Sequence, residues 1–367
     1  MNVNGQAYRT IWLADDGISV RVIDQRRLPH EFTTLDLRTL DEALIAIKEM
    51  AVRGAPLIGA TAAFAVALAL RADPSDAALA ASVDRLVACR PTAVNLAWAA
   101  RTVASQVMRL PTKQRWAGAL AEAQRICEDD VSCCRAIGAH GADLLASLDT
   151  GGRPIQILTH CNAGWLATVD WGTALSPIYV AQQRGLSLHV WVDETRPRNQ
   201  GAALTAWELG QQGIPHTVIA DNAGGYLMRQ GRVDLCIVGA DRVAGNGDVC
   251  NKIGTYLKAL AAFDNRVPFY VAMPHSTIDW NLSCADHITI EQRDPDEVRS
   301  IVGLDANGKL SRVQLTPPGS AAANFAFDVT PARLVTGLIT ERGIARATRE
   351  SLAGLYGIGS AVKALPQ

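Results

Sequence analysis

Hydrophobic and polar positions change their rhythm near residue 150, and the change divides the chain into two predicted halves. In the first half apolar residues recur at helical spacing. Thr39 and Glu42 form a capping box, and Ala43, Leu44, Ile47, Met50 and Ala51 follow as one face of a helix. Arg53-Gly54-Ala55-Pro56 ends that helix and starts another, with Pro56 suited to a first helical turn. The stretch from Gly54 to Leu70 is uncharged and Ala-rich. It is short for a membrane span and reads as a buried helix. Arg90-Pro91-Thr92 is a second break, ahead of helical stretches at 93–108 and 116–148. Ile18–Ile23 alternates like a short hairpin strand. Trp98 and Trp207 fall in helical stretches and read as core.

The turn-rich segment Leu148–Pro154 marks the expected boundary between two domains. Residues 1–150 form a mainly helical N-terminal domain with a short β segment, and residues 151–367 form the second domain. In the latter, apolar strands at 155–159, 188–192, 216–220, 235–240 and 268–273 alternate with helical stretches near 170–184, 201–212, 223–230 and 251–262. Near-continuous apolar strands between helices predict an α/β fold, with a Rossmann-like parallel sheet covered on both faces. Ligands of such sheets bind outside the carboxyl ends of the strands. Here those ends carry His160-Cys161, Asp193-Glu194, Asp221-Asn222, Asp241 and His275.

Composition narrows the function classes. The chain has 367 residues, a length that suits about two domains. A net charge of −1 with no long run of one sign excludes the concentrated basic face of a nucleic-acid binder, yet leaves room for a small anion. Met1–Gly5 lacks the charged start of a signal peptide, and the eight cysteines include no C-x-x-C. The expectation is a cytoplasmic protein with reduced thiols and no membrane partner, in which Cys133-Cys134 are partly buried helix residues. Gly245–Cys250 lacks the third glycine of a dinucleotide-binding turn, and neither a P-loop nor a zinc-spaced cluster occurs, so no cofactor and no metal are expected.

Cys161 follows the apolar run Ile155–Leu158 at the predicted entrance to a helix, where backbone N–H groups and the helix dipole favour a thiolate and bound anions. Asp241 ends the apolar run Leu235–Ala240, where desolvation favours a protonated acid. Each has a plainer reading: a small buried thiol, and a helix-capping carboxylate. Two strand ends, one with a thiol and one with a carboxyl, point together to a single crevice.

Six motifs then occur in order: Arg53–Pro56, Arg90–Leu96, Thr159-His160-Cys161-Asn162-Ala163-Gly164, Glu194–Pro197 with Gln200-Gly201, Gly239–Val243 and Asn251–Tyr256. Together they resemble the methylthioribose-1-phosphate isomerase family, which is related to the regulatory subunits of eukaryotic initiation factor two B. The resemblance spans roughly residues 35–345. It implies conversion of an aldose 1-phosphate, 5-methylthioribose 1-phosphate, to the ketose in methionine salvage, and a homodimer. It implies Cys161 and Asp241 as the catalytic pair. It assigns substrate contacts to Arg53, Gly54, Ala55, Arg90, Gln200, Asn251 and Lys252.

The chemistry agrees with those roles. Phosphate caps the anomeric oxygen, so the ring must open by protonation of its own oxygen, a task for Asp241. Hydrogen then moves from C2 to C1, either with Cys161 as base or as a hydride with Cys161 stabilising the transition state. Arg53 and Arg90 suit phosphate because a guanidinium binds it bidentately, and Lys252 adds a point charge at a predicted helix start. Trp165 stands where the family more often has a small residue, and Ser176-Pro177 replaces a Gly-containing pair. A pocket-facing Trp165 would narrow the space for the sugar's 5-substituent and admit 5-deoxyribose 1-phosphate as well as, or instead of, the methylthio sugar. A non-catalytic regulatory subunit is another alternative, but such a subunit is not expected to keep both Cys161 and Asp241; a ribose 1,5-bisphosphate isomerase would need a second phosphate pocket, for which no extra basic motif occurs.

Overall fold

The computed structural model describes residues 1–90 and 93–358; Pro91 and Thr92 of the second predicted break, and the predicted second domain beyond residue 358, lie outside the described residues. The chain opens with a two-stranded pair, Asn2–Val3 and Gln6–Ala7, followed by a three-stranded antiparallel meander, Ile11–Leu13, Val20–Ile23 and Thr34–Leu37. Five helices follow: α1 (Leu40–Lys48), α2 (Ala55–Ala72), α3 (Asp76–Cys89), α4 (Val94–Val107) and α5 (Arg115–Ala146). Thr39 and Glu42 close the capping box of α1. Helix α2 is apolar on every side, which suits a central position, and the other four pack around it. It is long and apolar enough to cross a membrane, and here it is mostly buried in protein.

Trp98 corrects one expectation. Helix α4 buries Leu96, Ala99, Ala100, Val103 and Val107, a stripe at helical spacing. Trp98 stands off that stripe and is 43% exposed. Trp207 does pack inward, stacked on Phe32 with ring centroids 5.9 Å apart.

The second half is built on a seven-stranded sheet. Numbered along the chain, Ile155–Thr159, Leu188–Asp193, His216–Ile219, Leu235–Val238, Phe269–Ala272 and Gly337–Thr340 lie in spatial order 3-2-1-4-5-6, all parallel. Gly343–Ala345 adds an antiparallel edge. The Leu235–Val238 strand is buried throughout, as a strand covered on both faces must be. This is the α/β architecture that the apolar rhythm predicts.

The helices of this half include α6 (Ser176–Gln183), α7 (Ala206–Gln211, preceded by a π turn over Gly201–Thr205), α8 (Ala223–Arg229) and α9 (Thr255–Asp264), with Asp296–Arg299 and Arg349–Tyr356 after them. Two begin later than the sequence suggests. Helix α6 starts at Ser176, not near 170, because the chain first folds back: the N–H groups of Thr173 and Ala174 donate to the Ala163 carbonyl at 2.9 and 3.0 Å. Helix α9 starts at Thr255 because Val249–Lys252 is a strand. It pairs with Arg242–Ala244 and Phe327–Thr330, and Ile278–Asp279 completes this second sheet. Asn251 and Lys252 therefore sit on a strand and not at the helix start predicted for them.

The unusual Ser176-Pro177 pair has a packing reason. Added side-chain carbons on Gly138 and Gly141 of α5 would lie 2.3 Å from Ser176 Oγ and 2.4 Å from Pro177 Cγ. The two glycines let α6 lie close against α5, and Ser176 Oγ donates to the Cys134 carbonyl at 2.8 Å.

Candidate active site

In a sheet of order 3-2-1-4-5-6 the direction of winding reverses between the first and fourth strands, and ligands bind at that reversal. The two strands are Ile155–Thr159 and Leu235–Val238, hydrogen-bonded neighbours whose ends are joined by Thr159 Oγ1 donating to the Ile237 carbonyl at 2.8 Å. Just beyond those ends stand Cys161 and Asp241. Their loops touch, since a side-chain carbon on Gly239 would lie 2.6 Å from Ala163 Cβ. Both residues line one cavity of about 430 Å³. Arg53, Gly54, Ala55, Arg90, Gln200, Asn251 and Lys252 line the same cavity, drawn from both halves of the chain.

Cys161 has left-handed backbone geometry (φ +66°). Its N–H donates to Thr195 Oγ1 at 2.8 Å, and its carbonyl accepts from Thr205 Oγ1 at 2.7 Å. No helix begins there. A loop leads to a single 3-10 turn at Trp165–Ala167, so the expected helix-dipole stabilisation of a thiolate is absent. Burial pushes the thiol up, while Arg53, Lys252 and the Asn162 N–H pull it down. Burial wins, and the resting group is a neutral thiol.

Asp241 is held by its N–H, which donates to the Cys250 carbonyl at 3.0 Å across the Arg242–Lys252 hairpin. That hairpin brings Asn251 and Lys252 beside it. Burial pushes the Asp241 carboxyl above the ordinary carboxylate range; Lys252, Arg53 and Arg90 oppose the shift and Glu291 adds to it. Lys252 Nζ donates to the Ala326 carbonyl at 3.0 Å and lies 4.4 Å from the centre of the Phe327 ring. Gln200 is buried, and its side-chain oxygen accepts no hydrogen bond. Arg53 grips Asn162, donating to its side-chain oxygen and, at 2.8 Å, to its carbonyl. Arg90 lies 3.4 Å from Glu291. Gly54 caps α2, whose first turn carries no acid and no side-chain cap, and Gly54, Ala55 and Pro56 line the cavity. The ensemble is a cationic, half-enclosed pocket holding one acid and one thiol, both raised by burial.

Residues 51–347 match the initiation factor 2 subunit family. The methylthioribose-1-phosphate isomerase of Rhodospirillum rubrum is 59% identical over 364 residues, 97% of this chain and 93% of that protein. The chain belongs to the methylthioribose-1-phosphate isomerase family. The structure of 5-methylthioribose 1-phosphate isomerase from Pyrococcus horikoshii OT3 matches with a TM-score of 0.83 at 38% identity, covering 96% of this chain and 97% of that one. The delta subunit of translation initiation factor eIF-2B from A. fulgidus matches with a TM-score of 0.80 at 37% identity, covering 96% and 100%.

Against that family background, the structure adds residues that the sequence reading left out. Arg293 lines the cavity as a further cation, 3.5 Å from Glu291. His160 is buried, with Nδ1 2.9 Å from Asp193 Oδ2 and Nε2 donating to the Ile253 carbonyl at 2.8 Å. It thereby ties the Cys161 strand to the chain just after Lys252. Lys258 Nζ lies 3.1 Å from the same Asp193 oxygen. Asp221 accepts from the N–H groups of Thr195 and Arg196 at 2.7 and 2.8 Å, holding the loop under Cys161. The available signal was position: His160 is a polar residue at the end of a buried strand, next to a candidate nucleophile. His275 stands apart, 3.4 Å from Glu341.

Trp165, the departure from the family pattern, does not line the cavity. It is fully buried behind the Cys161 loop and packs near Trp207, with ring centroids 6.2 Å apart. The narrowing expected of a pocket-facing Trp165 does not occur.

Proposed function

We propose that the protein is an aldose–ketose isomerase converting 5-methylthioribose 1-phosphate to 5-methylthioribulose 1-phosphate in methionine salvage. One observation carries the reading: Cys161 and Asp241 line one cavity at the winding reversal of the sheet, with Arg53, Arg90, Lys252 and Arg293 on its wall.

In this reading the substrate phosphate docks at the amino end of α2 against Arg53 and Arg90, where backbone N–H groups and guanidinium forks favour a dianion. Asp241 gives its proton to the ring oxygen. The bond between C1 and that oxygen breaks, and its electron pair stays on oxygen. A hydride passes from C2 to the electron-poor C1, and the C2 hydroxyl returns a proton to the Asp241 carboxylate as the C2 carbonyl forms. A thiol kept neutral by burial favours this route over proton abstraction by a thiolate. Cys161 then shapes the wall beside the cationic transition state. Gln200, with its unpaired oxygen, and Asn251 are placed to bind sugar hydroxyls.

Met50, Ile58, Val94 and Ile288 give the cavity apolar surface suited to a methylthio group. The 5-deoxy alternative rested on Trp165 and loses that support. A regulatory subunit has no need of a buried acid and a thiol in one cationic pocket.

We assign the mainly helical region 1–150, which supplies Arg53 to Ala55 and Arg90, and the α/β region 151–367, which supplies the reacting pair, to separate domains. The working unit in this reading is a cytoplasmic homodimer, which light scattering on the purified protein tests. For the activity, purified protein is incubated with 5-methylthioribose 1-phosphate, 5-deoxyribose 1-phosphate and ribose 1,5-bisphosphate while ketose formation is followed. Turnover of the first is expected; turnover of none would move the assignment to the regulatory subunit.

A further inference from the structure

Glu208, on α7, is wholly buried, yet every hydrogen-bond site on its carboxylate side is used. One oxygen accepts from the Trp165 N–H at 2.9 Å and the Tyr179 hydroxyl at 2.7 Å. The other accepts from the Leu166 N–H at 3.0 Å and from Asn162 Nδ2 at 2.9 Å. The Cys161 loop wraps around this carboxylate so closely that a side-chain carbon on Gly164 would lie 1.8 Å from it. Burial pushes the Glu208 carboxyl above its ordinary value and the four hydrogen bonds hold that rise back; four donors around two oxygens are the set that an ionised carboxylate requires.

The contact with Asn162 has a directional consequence. An ionised carboxylate only accepts, so the Asn162 amide must turn its NH₂ toward Glu208 and Thr205 Oγ1 (3.2 Å). Its oxygen is then forced to the opposite side, toward the Arg53 guanidinium. A flipped amide would set oxygen against carboxylate and NH₂ against guanidinium, two repulsions at once. Arg53, which lines the cavity, is thus held in place before any ligand arrives.

We propose that Glu208 is a positioning residue for anion binding, acting through Asn162 to set the orientation of Arg53. The inference rests on the isomerase reading only for the identity of the anion; the relay itself concerns any phosphate that enters the cavity.

The test is Glu208→Gln. A carboxamide presents one acceptor and one donor to a nest built from four donors, so the hold on Asn162 is lost. Two quantities are read: the KM for 5-methylthioribose 1-phosphate, and the Kd for inorganic phosphate by calorimetry. Each is expected to rise about tenfold, the effect of about one charge-assisted hydrogen bond, while kcat changes less than about threefold. In an Arg53→Lys background the same substitution should change each by less than about twofold, because the relay ends at Arg53. Equal factors in both backgrounds mean a merely structural Glu208 and overturn the proposal.

If near-ultraviolet circular dichroism shows that Glu208→Gln does not fold, Asn162→Leu reads the same relay and leaves Glu208 its other three donors. The same pair of factors is expected, and wild-type affinity overturns the proposal. Wild-type protein that binds phosphate without isomerising the sugar defeats the isomerase reading and leaves the phosphate measurement to decide the relay. Wild-type protein that does neither defeats both.

Discussion

Gly54 and Ala167 stand so close that a side-chain carbon on Gly54 would lie 2.3 Å from the Ala167 carbonyl oxygen. The first caps α2 and the second ends the turn behind Cys161, so this contact seats the amino end of α2 against the Cys161 loop. Gly54 also has φ +93°, which L side chains rarely adopt. Gly54→Ala combines both penalties and is expected to cost about 2–4 kcal/mol of stability and to weaken phosphate binding. Urea unfolding measures the first; a loss below about 0.5 kcal/mol would show that the contact relaxes freely.

Asp241→Asn keeps the shape of the proposed acid and removes its proton. Turnover is expected to fall at least about a hundredfold, with phosphate affinity nearly unchanged. A fully active variant ends the acid assignment.

The same variant has a pH signature in stability. Burial raises the Asp241 carboxyl, so the folded chain keeps a proton that the unfolded chain has released. That contribution is complete below the ordinary carboxylate range and is lost as pH rises through the raised value. Asn does not titrate. The stability of Asp241→Asn relative to the wild type should therefore grow from about pH 4 to about pH 8, and denaturant midpoints at the two ends check the sign.

Lys252 is the strongest influence holding the Asp241 carboxyl down. In Lys252→Met the acid should keep its proton to higher pH. The alkaline fall of kcat/KM, which reports the free enzyme, then moves upward in pH even as the value itself drops. A limb that stays put or moves downward would separate Lys252 from the acid.

Cys161→Ser leaves the backbone anchors to Thr195 and Thr205 in place, so folding should survive. Activity is expected to fall about a hundredfold or more, because the polarisable thiol is replaced by a smaller, more strongly hydrated hydroxyl. Wild-type rates would reduce Cys161 to packing.

His160→Ala leaves Asp193 buried with one of its two side-chain partners gone and frees the Ile253 carbonyl. A loss of about 3 kcal/mol is expected, read from denaturant unfolding. An unchanged midpoint would mean that Lys258 alone satisfies the carboxylate.

Much of this architecture was legible along the chain. Thr39 and Glu42 announce α1, Pro56 announces α2, and the buried run Leu235–Val238 announces a covered parallel strand, because each signal involves residues only a few positions apart. The placement of Cys161 and Asp241 just past strand ends was equally readable, since strand polarity follows from the alternation of strands and helices. The Trp98 and α9 expectations failed for the opposite reason: which face of a helix is covered, and which distant strand claims Val249–Lys252, depend on partners far along the chain.

Sequence alone therefore determined the alternation of strands and helices in the main sheet, the two strand ends that carry the candidate thiol and acid, and the cations available to them. Only the tertiary structure decided that Trp165 turns away from the cavity, that Asn251 and Lys252 reach it from a hairpin, and that Asn162 and Glu208 stand behind Arg53. It also decided that the Cys161 thiol rests neutral. Orientation, desolvation and hydrogen-bond partnership are properties of surroundings, and those surroundings exist only once remote segments have been brought together.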